Sequence, residues 1–131
     1  MKLTEHSLNH FRDTAHQNNL CSEYHGPLER YLLYGFAPGG FWTAVLANDF
    51  MGAMARSHPA NSIPDLKNAV NWIVYTWPKT SWGSYQAVDE WLALSDDQRR
   101  RVLEDRGLIH SQRREVELAL RGPAKPVPEF R

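Results

Sequence analysis

One cysteine, Cys21, is all the thiol chemistry the chain holds, so an internal disulfide is excluded and a reducing compartment is the natural expectation. Net charge is missing too: 15 basic residues balance 15 acidic ones, and no global field recruits nucleic acid or an anionic membrane. No apolar run approaches the ~18 residues of a membrane-spanning helix. The first ten residues, M-K-L-T-E-H-S-L-N-H, lack the continuous apolar segment of a secretory signal. These absences point to a cytoplasm and to no membrane partner. Period-two alternation of strand length is also wanting, which excludes a sheet. Catalytic signatures are equally scarce. The chain shows no nucleophile with a base at recognisable spacing, no phosphate-binding loop and no full set of metal ligands, so no cofactor is implied.

What is present is helical periodicity and aromatic mass. At 131 residues the chain is long enough for one domain with one core. Five tryptophans, five tyrosines and five phenylalanines supply that core, since aromatics concentrate in interiors and at interface centres. Between Phe41 and Ala55 the only strongly polar side chains are Thr43, Asn48 and Asp49. A surface helix shows an apolar stripe and a polar back. An apolar-all-round segment such as this one is therefore expected to be a single buried helix, about 41–55, at the centre of the fold. Gly52 inside it is expected to permit close helix packing.

Around that segment lie shorter amphipathic stretches. Leu3 to Gln17 is a marginal helix with Thr4 as a cap, broken by Asn18 and Asn19. A second helix is expected to begin at His25-Gly26-Pro27, with proline in its first turn, and to end at Gly35. Pro38-Gly39-Gly40 then turns the chain. Ser62 with Asp65 opens a helix whose apolar face reads Ile63, Leu66, Val70, Ile73 and Trp77. Ser84 caps the next, Ser95 with Gln98 forms a capping box, and a final helix starts after Ser111. The architecture expected is all-α: a compact bundle of five or six helices with an extended proline-rich C-terminal tail. The helical domain is 1–122, with 27–94 its core and 95–122 an arginine-rich helical extension, and 123–131 is the tail.

Candidate sites follow from polar residues in unusual places. Asn48 and Asp49 are poor mid-helix residues, and a buried carboxylate needs a partner, for which Arg56 is nearest in sequence. The reading preferred for them is a structural polar pair that ties this helix to its neighbours, with a loop tryptophan pinned over the core; the alternative joins them with the aromatics Trp77, Trp82 and Tyr85 in one candidate ligand site. Arg99, Arg100, Arg101, Arg113 and Arg114 form another, an arm suited to a protein or phosphate partner; the competing reading is a solvated face laced by interleaved acids. The free N–H groups after Gly39-Gly40 suit an anion, though a plain turn explains the glycines as well. His6 and His10 stand four apart, and with His16, His25 and His58 they are the only basis for a metal-dependent hydrolase.

The run Leu28-Glu29-Arg30-Tyr31, then G-F-A-P-G-G-F-W-T-A-V-L-A-N-D-F from Gly35 to Phe50, then W-G-S at Trp82 to Ser84 before a helix containing Trp91, resembles a family of small proteins encoded in phages and prophages. The resemblance covers about residues 27–92. It implies a phage accessory product in a bacterial host cytoplasm, and it implies no reaction. The function expected is that of a non-enzymatic interaction protein, one that binds and inhibits a host complex such as a defence system. The alternative is a small-molecule or nucleotide binder using Asn48, Asp49, Arg56, Trp77, Trp82 and Tyr85. Nucleic acid and a second copy of the chain stay open as partners.

Overall fold

The computed structural model describes residues 3–124, and the proline-rich tail expected beyond them lies outside the described residues apart from its first two positions. Those residues form eight α-helices and no strand: α1 (Glu5–Gln17), α2 (Ser22–Tyr34), α3 (Gly40–Leu46), α4 (Phe50–Arg56), α5 (Ile63–Thr76), α6 (Tyr85–Ala93), α7 (Asp96–Arg106) and α8 (Gln112–Leu120), with a 3-10 turn at Lys79–Ser81. The all-α architecture stands, with more helices than the five or six expected.

Serine oxygens start four of these helices. Ser62, Ser84, Ser95 and Ser111 each accept a hydrogen bond from the backbone N–H three residues on, and Gln98 returns its side chain to the Ser95 N–H to complete the capping box. Left-handed residues end others. At α1, Asn19 has φ 53°, and the N–H groups of Asn19 and Leu20 close on the carbonyls of His16 and Ala15, a Schellman arrangement. Gly35, φ 70°, ends α2 for two reasons: the backbone is left-handed, and a Cβ there would lie 2.2 Å from the Arg99 guanidinium. The α2 helix also starts earlier than its proline suggests. Tyr24 packs edge-on to Trp42, with centroids 4.9 Å apart, and donates to Asn61 Oδ1 at 3.0 Å, so tertiary contacts draw residues 22–26 into the helix and leave Pro27 inside it.

The buried centre belongs to α2, not to the 41–55 stretch. Leu28, Tyr31, Leu32 and Leu33 are all sealed from solvent and pack with Phe11, Trp72, Trp77, Trp91 and Leu103. Three polar tips inside this core are paired: Tyr31 Oη donates to the Ser81 carbonyl (2.6 Å), Trp91 Nε1 to the Tyr31 carbonyl (3.2 Å) and Trp72 Nε1 to Thr14 Oγ1 (3.1 Å); Trp77 Nε1 is buried with no hydrogen-bond acceptor among the described residues. The core therefore draws on α1 and α7 as well as on the middle of the chain.

The single central helix is replaced by two short ones. Asn48 takes φ 61°, its N–H bonds to Val45 O (3.1 Å) and that of Asp49 bonds to Ala44 O (2.9 Å), so α3 ends in the same Schellman arrangement as α1. Asp49 then caps α4 by accepting from Gly52 N–H at 2.9 Å. The chain folds back so far that the Arg56 side chain lies against Gly40, with Cδ 3.3 Å from where a Cβ would stand. The apolar residues of α4 consequently face outward.

Candidate functional site

Helices α3, α4 and the first half of α5 enclose an open groove of about 410 Å³. Phe41, Trp42 and Val45 come from α3, Phe50, Ala53 and Met54 from α4, and Ile63, Leu66 and Val70 from α5; the polar contributions are Asn48, Asp49 and Lys67 at its edge. Apolar exposure here is high, as it also is at Val116 and Leu120 of α8, which are 62% and 84% exposed. Phe50 is 71% exposed, Met51 77% and Ile63 66%. Val74 and Tyr75 extend the exposed apolar surface along α5. Monomeric proteins rarely show a contiguous apolar patch of this kind unless something binds it.

The α5 helix explains why periodicity alone misassigned this surface. Its core face is Ala69, Trp72 and Ile73, completed by Trp77 just beyond the helix, whereas Ile63, Leu66 and Val70 point into the groove. The helix is apolar on two faces, and the sequence spacing merges them.

At one end of the groove the joint between α3 and α4 is fastened by Asp49. Its Oδ2 accepts from the Tyr85 hydroxyl of α6 at 2.5 Å while Oδ1 takes the Gly52 N–H. These two hydrogen bonds, that from Tyr85 foremost, hold the Asp49 carboxyl below the usual carboxylate range, and the same contact raises the Tyr85 phenol. Asp49 is thus tied to Tyr85 rather than to Arg56, whose Nη1 instead donates to Gly52 O at 3.1 Å. Gly83 N–H adds a second tie by donating to Leu46 O at 2.7 Å.

The candidate ligand site read from sequence comes together only in part. Asn48, Asp49 and Tyr85 meet at the joint, and the Arg56 guanidinium reaches back to Gly52 O, close enough to act on both Asp49 and Tyr85. Trp77 is a core residue, fully buried, stacked on Tyr31 and edge-on to Trp72, apart from the joint. Trp82 packs half-buried against the core.

The arginine arm is also divided. Arg99 is 3% exposed, with Nη1 on Asp96 Oδ1 (2.9 Å) and Nη2 on Leu94 O (2.8 Å). Arg100 is buried as well, binding Glu104 Oε1 through Nε (2.8 Å), the His110 carbonyl (3.2 Å) and Glu115 through Nη2. Both lie on the α7 face that carries Leu103, and neither is available to a partner. Arg101 and Arg113 remain exposed, and Arg113 and Arg114 share Glu117 at 3.6 and 3.2 Å.

Glu115 is the functional-looking carboxylate that sequence reading passed over. Beside Arg100 it accepts from Ser7 Oγ at 2.7 Å and from Thr4 through both N–H and hydroxyl, so it joins α1, α7 and α8. Burial pushes this carboxyl up, but the hydrogen bonds from Thr4, Ser7 and Arg100 outweigh it, and its pKa lies below the ordinary value. Glu29 is built likewise: burial is outweighed by His25 (2.9 Å) and a two-pronged contact from Arg12 (2.9 and 3.1 Å). Of the other histidines, His10 and His110 lie ring to ring with centroids 4.6 Å apart, and His6 is near enough to act on His110. His6 and His10 contact the carbonyls of Gly122 and Gly107, His58 Nδ1 accepts from Ala60 N–H, and His16 sits in the last turn of α1. Among the described residues no three metal-ligating side chains converge, and no helix is long and apolar enough to cross a membrane.

Neither a family model, a curated protein nor a solved structure matches this chain.

Proposed function

We propose that the protein is a non-enzymatic interaction protein whose working surface is the apolar groove of α3, α4 and α5, and that its occupant is an amphipathic helix of a partner protein. One observation carries the reading: Phe50, Met51 and Ile63 stand largely in solvent beside a groove lined almost wholly by carbon. Burying each such side chain is worth roughly 1.5–3 kcal/mol, and the fold as described forgoes it. The groove also restricts the form of the occupant. An extended peptide needs partners for its own N–H and C=O groups, and this lining offers few. A helix brings those groups already paired and presents its apolar residues at three- and four-residue spacing. The resemblance to phage-encoded proteins favours a host protein complex as the source of that helix, with inhibition as the outcome.

A photo-reactive phenylalanine analogue in place of Phe50, with a control at Glu117 on α8, tests this in a bacterial lysate. The expected result is a protein cross-linked from position 50 alone, through a segment with helical apolar spacing. Equal cross-linking from both positions, or capture of an extended segment, overturns it.

A small apolar ligand is the second reading, because the groove volume falls within the range of small-molecule pockets. Met51 weighs against it, being exposed outside the groove lining.

A further inference from the structure

The groove exists only because α4 folds back on α3, and the residues that enforce the fold-back are few. We propose that Asp49, Gly52 and Tyr85 form a catch with two states: closed, as seen, with the groove assembled, and released, with residues 40–56 running on as one helix and the groove dismantled. This deepens the docking reading above and rests on it for its functional meaning.

Four observations carry the proposal. First, the segment has helical character on both sides of the joint and no proline at it, so the break at residues 47–49 is not imposed by a residue unable to continue a helix. Second, the break depends on a non-glycine residue, Asn48, holding a left-handed backbone at φ 61°, a conformation asparagine tolerates better than most and glycine better still. Third, the carboxylate as placed leaves no room for a side chain beneath it. A Cβ on residue 52 would stand 2.2 Å from Asp49 Oδ2 and 2.8 Å from its Cγ, so a side chain there pushes the carboxylate out of the position in which it meets both Gly52 N–H and the Tyr85 hydroxyl. Fourth, the same carboxylate is gripped from outside the segment by the Tyr85 hydroxyl at 2.5 Å, so that α6 reports on, and controls, the joint. A partner that takes the Tyr85 hydroxyl for itself opens the catch, and one that fills the groove closes it.

Geometry sets the readout. In the closed state the Arg56 side chain touches Gly40; in one continuous helix the sixteen steps between them span roughly 24 Å. Spin labels at the exposed positions Ala37 and Ala55, in a Cys21→Ser background, read this separation by pulsed electron resonance without any partner present. The expected result is a short distance in the parent protein. In Gly52→Ala the larger part of the population moves to a distance about 15 Å longer, and Tyr85→Phe moves a smaller part. Asn48→Gly, which favours the left-handed joint, abolishes any long component. Gly52→Ala and Tyr85→Phe proteins that melt cooperatively and keep the parent distance overturn the catch. Cross-linking from position 50 serves as the second arm. Shifted distances with no cross-linked partner remove the docking reading and keep the hinge, whereas unmoved distances with a cross-linked partner do the reverse.

Discussion

Two ends of this molecule handle polarity in opposite ways. Where α1, α7 and α8 meet, Arg100 and Glu115 are buried and their hydrogen-bonding groups are matched by Ser7, Thr4, Glu104 and the His110 carbonyl. Where α3, α4 and α5 meet, phenylalanine, methionine and isoleucine are left in solvent. The first arrangement holds only if every member stays, because removing one leaves a buried charge without its partner. The second loses little when one member goes, since its side chains bury little within the fold. Of these two ends, the charged one is where a single loss should cost stability, and the apolar one is the surface proposed to bind.

The largest effect should come from breaking the charged end. Arg100→Ala strands Glu115 in the interior and is expected to lower stability by about 3–5 kcal/mol, read as a shift in the urea midpoint. A loss under about 1 kcal/mol, the level of an exposed ion pair, would place the pair in water. Acid should act on the same contacts more gently. The folded pKa values of Glu115 and Glu29 lie below the ordinary 4.5, so their contribution is complete above that value and fades as the pH falls through the lower folded values. Urea midpoints taken from pH 7 down to pH 3 should therefore decline below about 4.5, and Glu115→Gln should flatten part of that decline. An unchanged profile in Glu115→Gln would mean the carboxylate contributes nothing.

At the apolar end the expectation is reversed. Phe50→Asp should alter stability by no more than about 0.5 kcal/mol yet abolish partner capture from the groove. A melting temperature that collapses would instead make Phe50 part of the core. Smallest of all should be reversal of Arg101, Arg113 and Arg114 to glutamate, which touches only exposed or half-exposed charges and should leave both melting and groove capture nearly unchanged. Lost capture with the fold intact would return the arginine arm to consideration.

Much of the fold was legible because its signals are local. A serine oxygen reaching an N–H three residues on needs no tertiary information, and the caps at Ser62, Ser84, Ser95 and Ser111 were readable for that reason. The joint at Asn48 shows the limit. Asn19 and Asn48 do the same thing with the same hydrogen bonds, but polar neighbours announce the first and apolar neighbours hide the second. The dipeptide Asn48-Asp49, a helix stop followed by a helix start, was the available signal. Arg99 and Arg100 carried one too, since they precede Leu103 by four and three residues and so share its face. The groove had no such trace: it is made by how α4 and α5 lie against each other, and the apolar residues of α5 do not say which of two faces each will serve.

The junction at Glu115 has a consequence for the order in which the chain matures. Thr4 and Ser7 find their acceptor 111 and 108 residues downstream, and His6 meets a carbonyl 116 residues away. During synthesis, which proceeds from the N-terminus, α1 leaves the ribosome well before α8 and these contacts wait for α8 to follow. Until then Thr4 and Ser7 are paired with water, while Phe11, Arg12 and Thr14 of α1 already have their partners in the core, on Glu29 and on Trp72. Closing so long a loop costs little more in entropy than closing one half its length, about 0.6 kcal/mol, so the delay is one of timing and not of stability.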